Sequence, residues 1–349
     1  MSATNGSTLL RSRSRIIGVA LVAVFALCAM FSSVASAKLT PVKETQLSMG
    51  DSLAFGYSLQ LFNENIIFGA PATAFENGYA NDYLALHKKG KGSQLVNVGC
   101  PGETTDSMIG NGPLGSIIDP TGESPCGYHK LGLPLHHEYG GTKSQLESAL
   151  EMLAIEAGSG TPVTTLTLNI GANDELHAIG KCEAEVKGEF EAEGKSQYGA
   201  TPAEALEKCI VAHVPSLFTH ILTNVGTTLF VLRKGAEFGS VNYGGKIVIN
   251  GGYDPYGNVL GGGELLANSN ALTGALNVEE QKVAAKFGAC FANPQPKFNP
   301  QNKNEPARLQ AYTNMANTTE SNGKKNGPDI HPTPVGYEQL AKIMKAACG

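Results

Sequence analysis

The sequence predicts an α/β protein whose central parallel sheet of about five strands is covered by helices. Two observations carry that expectation. Short apolar runs at Glu44–Met49, Gln94–Val98, Val163–Asn169, Lys246–Asn250 and Ala289–Ala292 alternate with segments of helical character. Strands that are apolar on both faces are the kind buried between helix layers. In addition, Ser52, Gly102 and Asn173 each stand just after one of these runs. In open parallel sheets the carboxyl ends of the strands are where sites assemble.

Taken in order, residues 1–37 carry Arg11, Arg13 and Arg15, then an apolar run from Ile16 to Phe31, then Ala35-Ser36-Ala37. A basic start, an apolar core short for a bilayer and an A-x-A site read as a secretory signal peptide cut before Lys38. No later stretch is read as a membrane span, so residues 38–349 are expected as one exported, monomeric domain. Removing residues 1–37 lowers Lys plus Arg from 26 to 23 against 31 acids, moving the formal charge from −5 to −8. Such a balance argues against nucleic-acid binding, which wants a basic face.

The first strand ends in Leu47-Ser48-Met49 and turns through Gly50-Asp51-Ser52-Leu53 into a helix expected from Ser52 to about Asn63. Asp51 or Ser52 caps it. A serine there sits beside backbone N–H groups that no helical carbonyl has claimed, half of an oxyanion hole. Taken alone, Gly-Asp-Ser is equally an ordinary βα turn. Tyr79–Leu86 reads as helix, and the second strand ends in Asn97-Val98-Gly99-Cys100-Pro101-Gly102. Residues 110–141 are rich in Gly and Pro and read as a surface insertion. Ser144–Ala157 is an amphipathic helix with Leu146, Leu150 and Leu153 on one face. The third strand closes in Gly171-Ala172-Asn173-Asp174, read as a loop. Residues 181–209 are charged and read as a small helical cap. Val214–Ala236 and Leu272–Phe287 read as helices, Arg308–Lys325 as loop, and Thr333–Ala347 as the closing helix.

Six cysteines remain after residue 37: Cys100, Cys126, Cys182, Cys209, Cys290 and Cys348. An even number in an exported chain implies disulfides, and fifteen pairings are open. Neighbours are expected to pair: Cys100–Cys126, Cys182–Cys209 and Cys290–Cys348. No C-x-x-C or C-x-x-H spacing supports a metal, and no cofactor is expected. Gly110-Asn111-Gly112-Pro113-Leu114-Gly115 fits a dinucleotide fingerprint but has no strand before it. His136-His137 lacks metal-ligand spacing, and Asn317-Thr318-Thr319 is a glycosylation sequon. No Gly-x-Ser-x-Gly elbow surrounds a candidate nucleophile.

His331 stands in Pro328-Asp329-Ile330-His331-Pro332, just before the last helix. A serine, a histidine base and several hydrogen-bond donors are what acyl transfer needs, because negative charge grows on the carbonyl oxygen. Gly-Asp-Ser-Leu at 50–53, Asn-x-Gly-x-x-Gly at 97–102, Gly-x-Asn-Asp at 171–174 and His331-Pro332 near the C-terminus resemble, in order, the four blocks of the GDSL, or SGNH, hydrolase family. The resemblance implies a flavodoxin-like three-layer α/β/α fold and metal-free hydrolysis of lipid or short acyl esters. It also implies Ser52 as nucleophile, His331 as base, and an oxyanion hole of the Ser52 N–H, the Gly102 N–H and the Asn173 side chain. The family's last block usually has an acid three residues before the histidine, where this chain has Pro328. Either Asp329 or a main-chain carbonyl near Pro328 then orients the ring. A carbohydrate acetyl esterase, or a non-catalytic exported protein binding carbohydrate or cell wall on the same fold, are the alternative readings.

Overall fold

A computed structural model describes residues 42–65, 69, 71–88, 92–110, 126, 128, 134–139, 143–255, 264–300, 305–316 and 319–349. The expected signal peptide, most of the 110–141 insertion with its Gly-rich motif, and Asn317-Thr318 of the sequon lie outside the described residues.

Strand β1 (Glu44–Gly50) turns at Asp51 into the short helix α1 (Ser52–Phe55), followed by α2 (Leu59–Asn65) and α3 (Tyr79–Lys88). The single helix expected over 52–63 is therefore two. Gly56 ends the first with φ +88°, and its N–H closes on Ser52 O at 3.0 Å. Next come β2 (Ser93–Asn97), α4 (Thr105–Ile109), α5 (Gln145–Ser159) and β3 (Val163–Asn169). Ser144 and Glu147 form a reciprocal capping box that starts α5.

Helix α6 (Ala172–Glu193) begins directly after β3, so Asn173 lies in a first helical turn rather than a loop. Helix α7 (Pro202–Arg233) runs on through Pro215. The expected small cap over 181–209 is thus the far end of two long helices, joined by the Cys182–Cys209 disulfide around Val186 and Ala205. Against the expectation that no later stretch could span a bilayer, α7 is long and apolar enough to cross a membrane by length and composition alone. Its Ile221, Val225, Leu229 and Leu232 are buried in the main core.

Strand β4 (Lys246–Asn250), α8 (Glu264–Lys286), β5 (Cys290–Ala292) and α9 (Gln295–Phe298) complete the sheet region. The segment expected as loop over 308–325 instead holds α10 (Glu305–Tyr312), β6 (Thr313–Asn314) and a small hairpin of β7 (Glu320–Ser321) with β8 (Lys324–Lys325). Then β9 (Asp329–Pro332) pairs antiparallel with β6, and α11 (Pro334–Cys348) follows.

The five central strands are all parallel, in the order β2-β1-β3-β4-β5. This is the flavodoxin-like order, whose direction reverses at β1 and opens a crevice between the carboxyl ends of β1 and β3. Side chains alternate across the sheet. On β4, Ile247 and Ile249 join the core shared with Leu146 and Leu150 of α5 and Val225 of α7. Val248 faces the other core, with Tyr79 and Tyr83 of α3 and Leu340 and Met344 of α11. Two helix layers around one sheet make the three-layer α/β/α sandwich. Besides Cys182–Cys209, disulfides join Cys100 to Cys126 and Cys290 to Cys348, the last anchoring the end of α11 to β5.

Candidate active site

The β1–α1 elbow admits only glycine at position 50. Its φ is +132°, and a Cβ built there would lie 2.0 Å from the Asn169 carbonyl oxygen. The buried Gln145 side chain grips the same residue, accepting from Gly50 N–H at 2.5 Å and donating to Gly50 O at 2.9 Å. Asp51 caps α1 by accepting from Leu53 N–H at 2.9 Å. Ser52 follows as the first helical residue, nearly buried. Asn97 ties this elbow to β2 by donating to Ala54 O at 2.8 Å while accepting from Gly99 N–H at 3.0 Å.

From the other end of the chain, β9 brings His331 to the same crevice. Its Nε2 lies 2.8 Å from Ser52 Oγ, and its Nδ1 lies 2.5 Å from Asp329 Oδ1. The carboxylate, not a main-chain carbonyl near Pro328, therefore meets the ring. It reaches across only two residues because they lie in β9, where the His331 N–H donates to the same Oδ1 at 3.1 Å. The second oxygen, Oδ2, accepts from Leu59 N–H at 2.9 Å. Burial works to raise the Asp329 carboxyl. The His331 hydrogen bond and charge and these N–H donors outweigh it and hold the group below the usual carboxylate range. An ionised Asp329 places the proton on Nδ1, leaving the Nε2 lone pair for the serine hydroxyl. The ring is further confined by the Tyr57 ring, 4.8 Å away edge-on. Asn314 donates to His331 O at 3.1 Å, and Tyr253 Oη donates to Ile330 O at 2.6 Å.

The Gly102 turn and the start of α6 meet each other at the carboxyl ends of β2 and β3. Gly102 is exposed with φ +84°, and a Cβ there would meet nothing within 4 Å, so an approaching group finds open space beside it. Among the described residues, neither the Gly102 N–H nor the Ser52 N–H has a partner. Asn173 donates one amide proton to Glu103 O at 2.8 Å, leaving the other. Asp174 locks the two segments together, accepting from Thr105 N–H at 2.9 Å and Thr105 Oγ1 at 2.6 Å. Behind them Glu103 is fully buried against Ser107 and Gln145, and burial pushes its carboxyl up to about 8.

Several of these residues carry no sequence signal of their own. Gln145, Tyr57, Asn314 and Tyr253 act through contacts between distant segments; only Asp174 and Asn97 stand inside recognisable motifs. His136 contacts Phe55 O through Nε2 at 2.9 Å and serves to hold residues 134–139 on α1. Among the described residues, the groups close enough to hold a metal are Cys182, Cys209 and His213, and Cys100, Glu103 and Cys126. In both, the sulfurs are bonded to each other and offer no thiolate.

No family model matches the sequence, and no curated protein does. Solved structures do. An extracellular lipase from Streptomyces rimosus is 15% identical, with 87% of this chain and 99% of that one covered, at a TM-score of 0.47. Phospholipase A1 from Streptomyces albidoflavus NA297 is 13% identical over 88% and 100%, also at 0.47. A catalytic mutant of an acetylxylan esterase from Geobacillus stearothermophilus is 12% identical over 89% and 96%, at 0.41.

Proposed function

We propose that this chain is a serine hydrolase of the GDSL, or SGNH, type that cleaves carboxylic esters through an acyl-enzyme on Ser52. The contact of His331 Nε2 with Ser52 Oγ at 2.8 Å, backed by Asp329 on the opposite ring nitrogen, carries this reading. The hydroxyl proton passes to Nε2 as Oγ bonds to the ester carbonyl carbon. The oxygen that gains charge lies against the Ser52 N–H, the Gly102 N–H and the Asn173 amide. Collapse breaks the ester C–O bond, and the Nε2 proton leaves on the alcohol. Water then repeats the sequence in reverse, giving up a proton to Nε2, releasing the acid and restoring Ser52.

The same reading makes residues 1–37 a cleaved signal peptide and the remainder an exported hydrolase domain, in keeping with three disulfides. Its test is hydrolysis of p-nitrophenyl esters of increasing acyl length, beside acetylated xylan. We expect turnover on at least one, abolished in Ser52→Ala with folding intact. Turnover unchanged in that variant overturns the proposal.

A further inference from the structure

Next to the nucleophile lies a cavity of about 80 Å³, lined by the end of β3, the first turns of α6, the residues after β4 and one face of α8. That is room for roughly three to five water-sized groups. Asp51, Leu53 and Ile330 line it, so it abuts the immediate neighbours of Ser52 and His331. Leu176, Ile179 and Leu276 make much of its wall apolar.

Its charged groups are all acidic, beside neutral Asn169, Thr273 and Asn277. Asp51 is 1% exposed, and its Oδ2 is buried with no hydrogen-bond partner. Glu175, half-buried, also lines the cavity, and Glu280, 4% exposed, stands behind it with Oε1 3.8 Å from where a Gly171 Cβ would lie. No Lys, Arg or His is among the described lining residues. A buried carboxylate oxygen left without a partner, such as Asp51 Oδ2, is costly, and such groups ordinarily find one. Burial, with Asp174 and Asp254 nearby, pushes Glu175 up to about 7; burial and Glu175 push Glu280 up to about 8. The oxygens do not converge as a metal site would: among the described residues, no metal-holding group includes Asp51, Glu175 or Glu280. They are spread along a wall, which suits a small organic group carrying its own hydrogen-bond donor.

Resting on Ser52 as the nucleophile, we infer that this cavity receives the acyl arm of the ester, and that it selects short acyl groups bearing a hydroxyl or ammonium donor for Glu175 and Asp51. The acyl arm stays bonded to Ser52 while the alcohol leaves and water enters, so a recessed side suits the arm that is retained. A cavity of this size takes few carbons beyond the carbonyl. A site built to satisfy a substrate donor discriminates against the analogue lacking it far more strongly than an apolar pocket discriminates by size.

The test compares methyl 3-hydroxybutyrate and methyl 3-aminobutyrate with their near-isostere methyl 3-methylbutyrate, by pH-stat. We expect kcat/KM at least tenfold higher for one or both donor-bearing esters. Glu175→Leu brings that ratio close to one, and Glu175→Gln lowers the ammonium preference more than the hydroxyl preference. A wild-type enzyme that hydrolyses all three equally, or prefers the methyl compound, overturns the inference while leaving the esterase reading intact. So does a preference that survives Glu175→Leu. Hydrolysis of no ester at all, with no covalent labelling of Ser52, is the separate failure of the esterase reading.

Discussion

Replacing Asp329 by asparagine keeps its shape and removes its charge, which isolates what the carboxylate does for His331. The structure dictates how the amide must sit. One oxygen position accepts from both His331 Nδ1 and the His331 N–H, and the other accepts only from Leu59 N–H. The amide oxygen therefore takes the His331 side, keeping the ring tautomer and setting the NH2 against Leu59 N–H. What is lost is the attraction between a carboxylate and the imidazolium that forms as Ser52 gives up its proton. Both side chains are largely buried, 5% and 13% exposed. At an effective dielectric near 20 and a separation of about 4 Å that attraction is about 4 kcal/mol. Allowing for partial solvent screening, kcat falls roughly 10²- to 10³-fold. KM changes little, since Asp329 touches the base and not the substrate. Initial rates on p-nitrophenyl butyrate, with circular dichroism as the folding control, measure this. A kcat within about threefold of wild type refutes the reasoning and returns the orienting role to a main-chain carbonyl. A loss as deep as that of His331→Ala refutes the amide orientation argued here.

Asn173→Ala removes one proposed oxyanion donor and one hydrogen bond to Glu103 O; kcat is expected to fall roughly 10²- to 10³-fold, and a loss under fivefold contradicts the assignment. Glu103 gives a pH prediction. Its folded pKa is raised from 4.5 to about 8, so the folded protein holds a proton that the unfolded chain releases across that window. Stability from this group is full at acid pH and is lost as pH rises toward 8. Glu103→Gln mimics the protonated form, so its melting temperature relative to wild type should climb by several degrees between pH 5 and pH 8.5. An offset that stays constant across that range contradicts the buried neutral carboxyl.

The sheet was legible because its strands are short, apolar and closed by glycine turns, and the Gly50 elbow follows from such a pattern. Ser52, Gly102 and Asn173 were findable for the same reason: each follows a strand end. The breaks and lengths of helices were not. Gly56 splits the expected 52–63 helix through a left-handed turn, which sets Tyr57 against the His331 ring. Helix α6 is charged and weakly periodic, and it is held by packing on α7 and by Cys182–Cys209, contacts that no local pattern displays. Helix α7 continues through Pro215, whose carbonyl accepts from Thr219 Oγ1 at 2.8 Å. Within 308–325, β6 is a two-residue strand that forms against β9, and β7 and β8 are two-residue strands that pair with each other, too short to show a period of their own. Asp329 was ambiguous because a spacing of two residues does not fix side-chain direction until the strand is known.

The proposed nucleophile, Ser52, admits the most direct measurement. Treatment with a fluorophosphonate followed by intact-mass and peptide mass spectrometry should add one phosphonyl group, on the peptide containing Ser52. Labelling should vanish in Ser52→Ala and become far slower in His331→Ala. An unlabelled wild-type protein, or an adduct that persists at full rate without the Ser52 hydroxyl, contradicts the account.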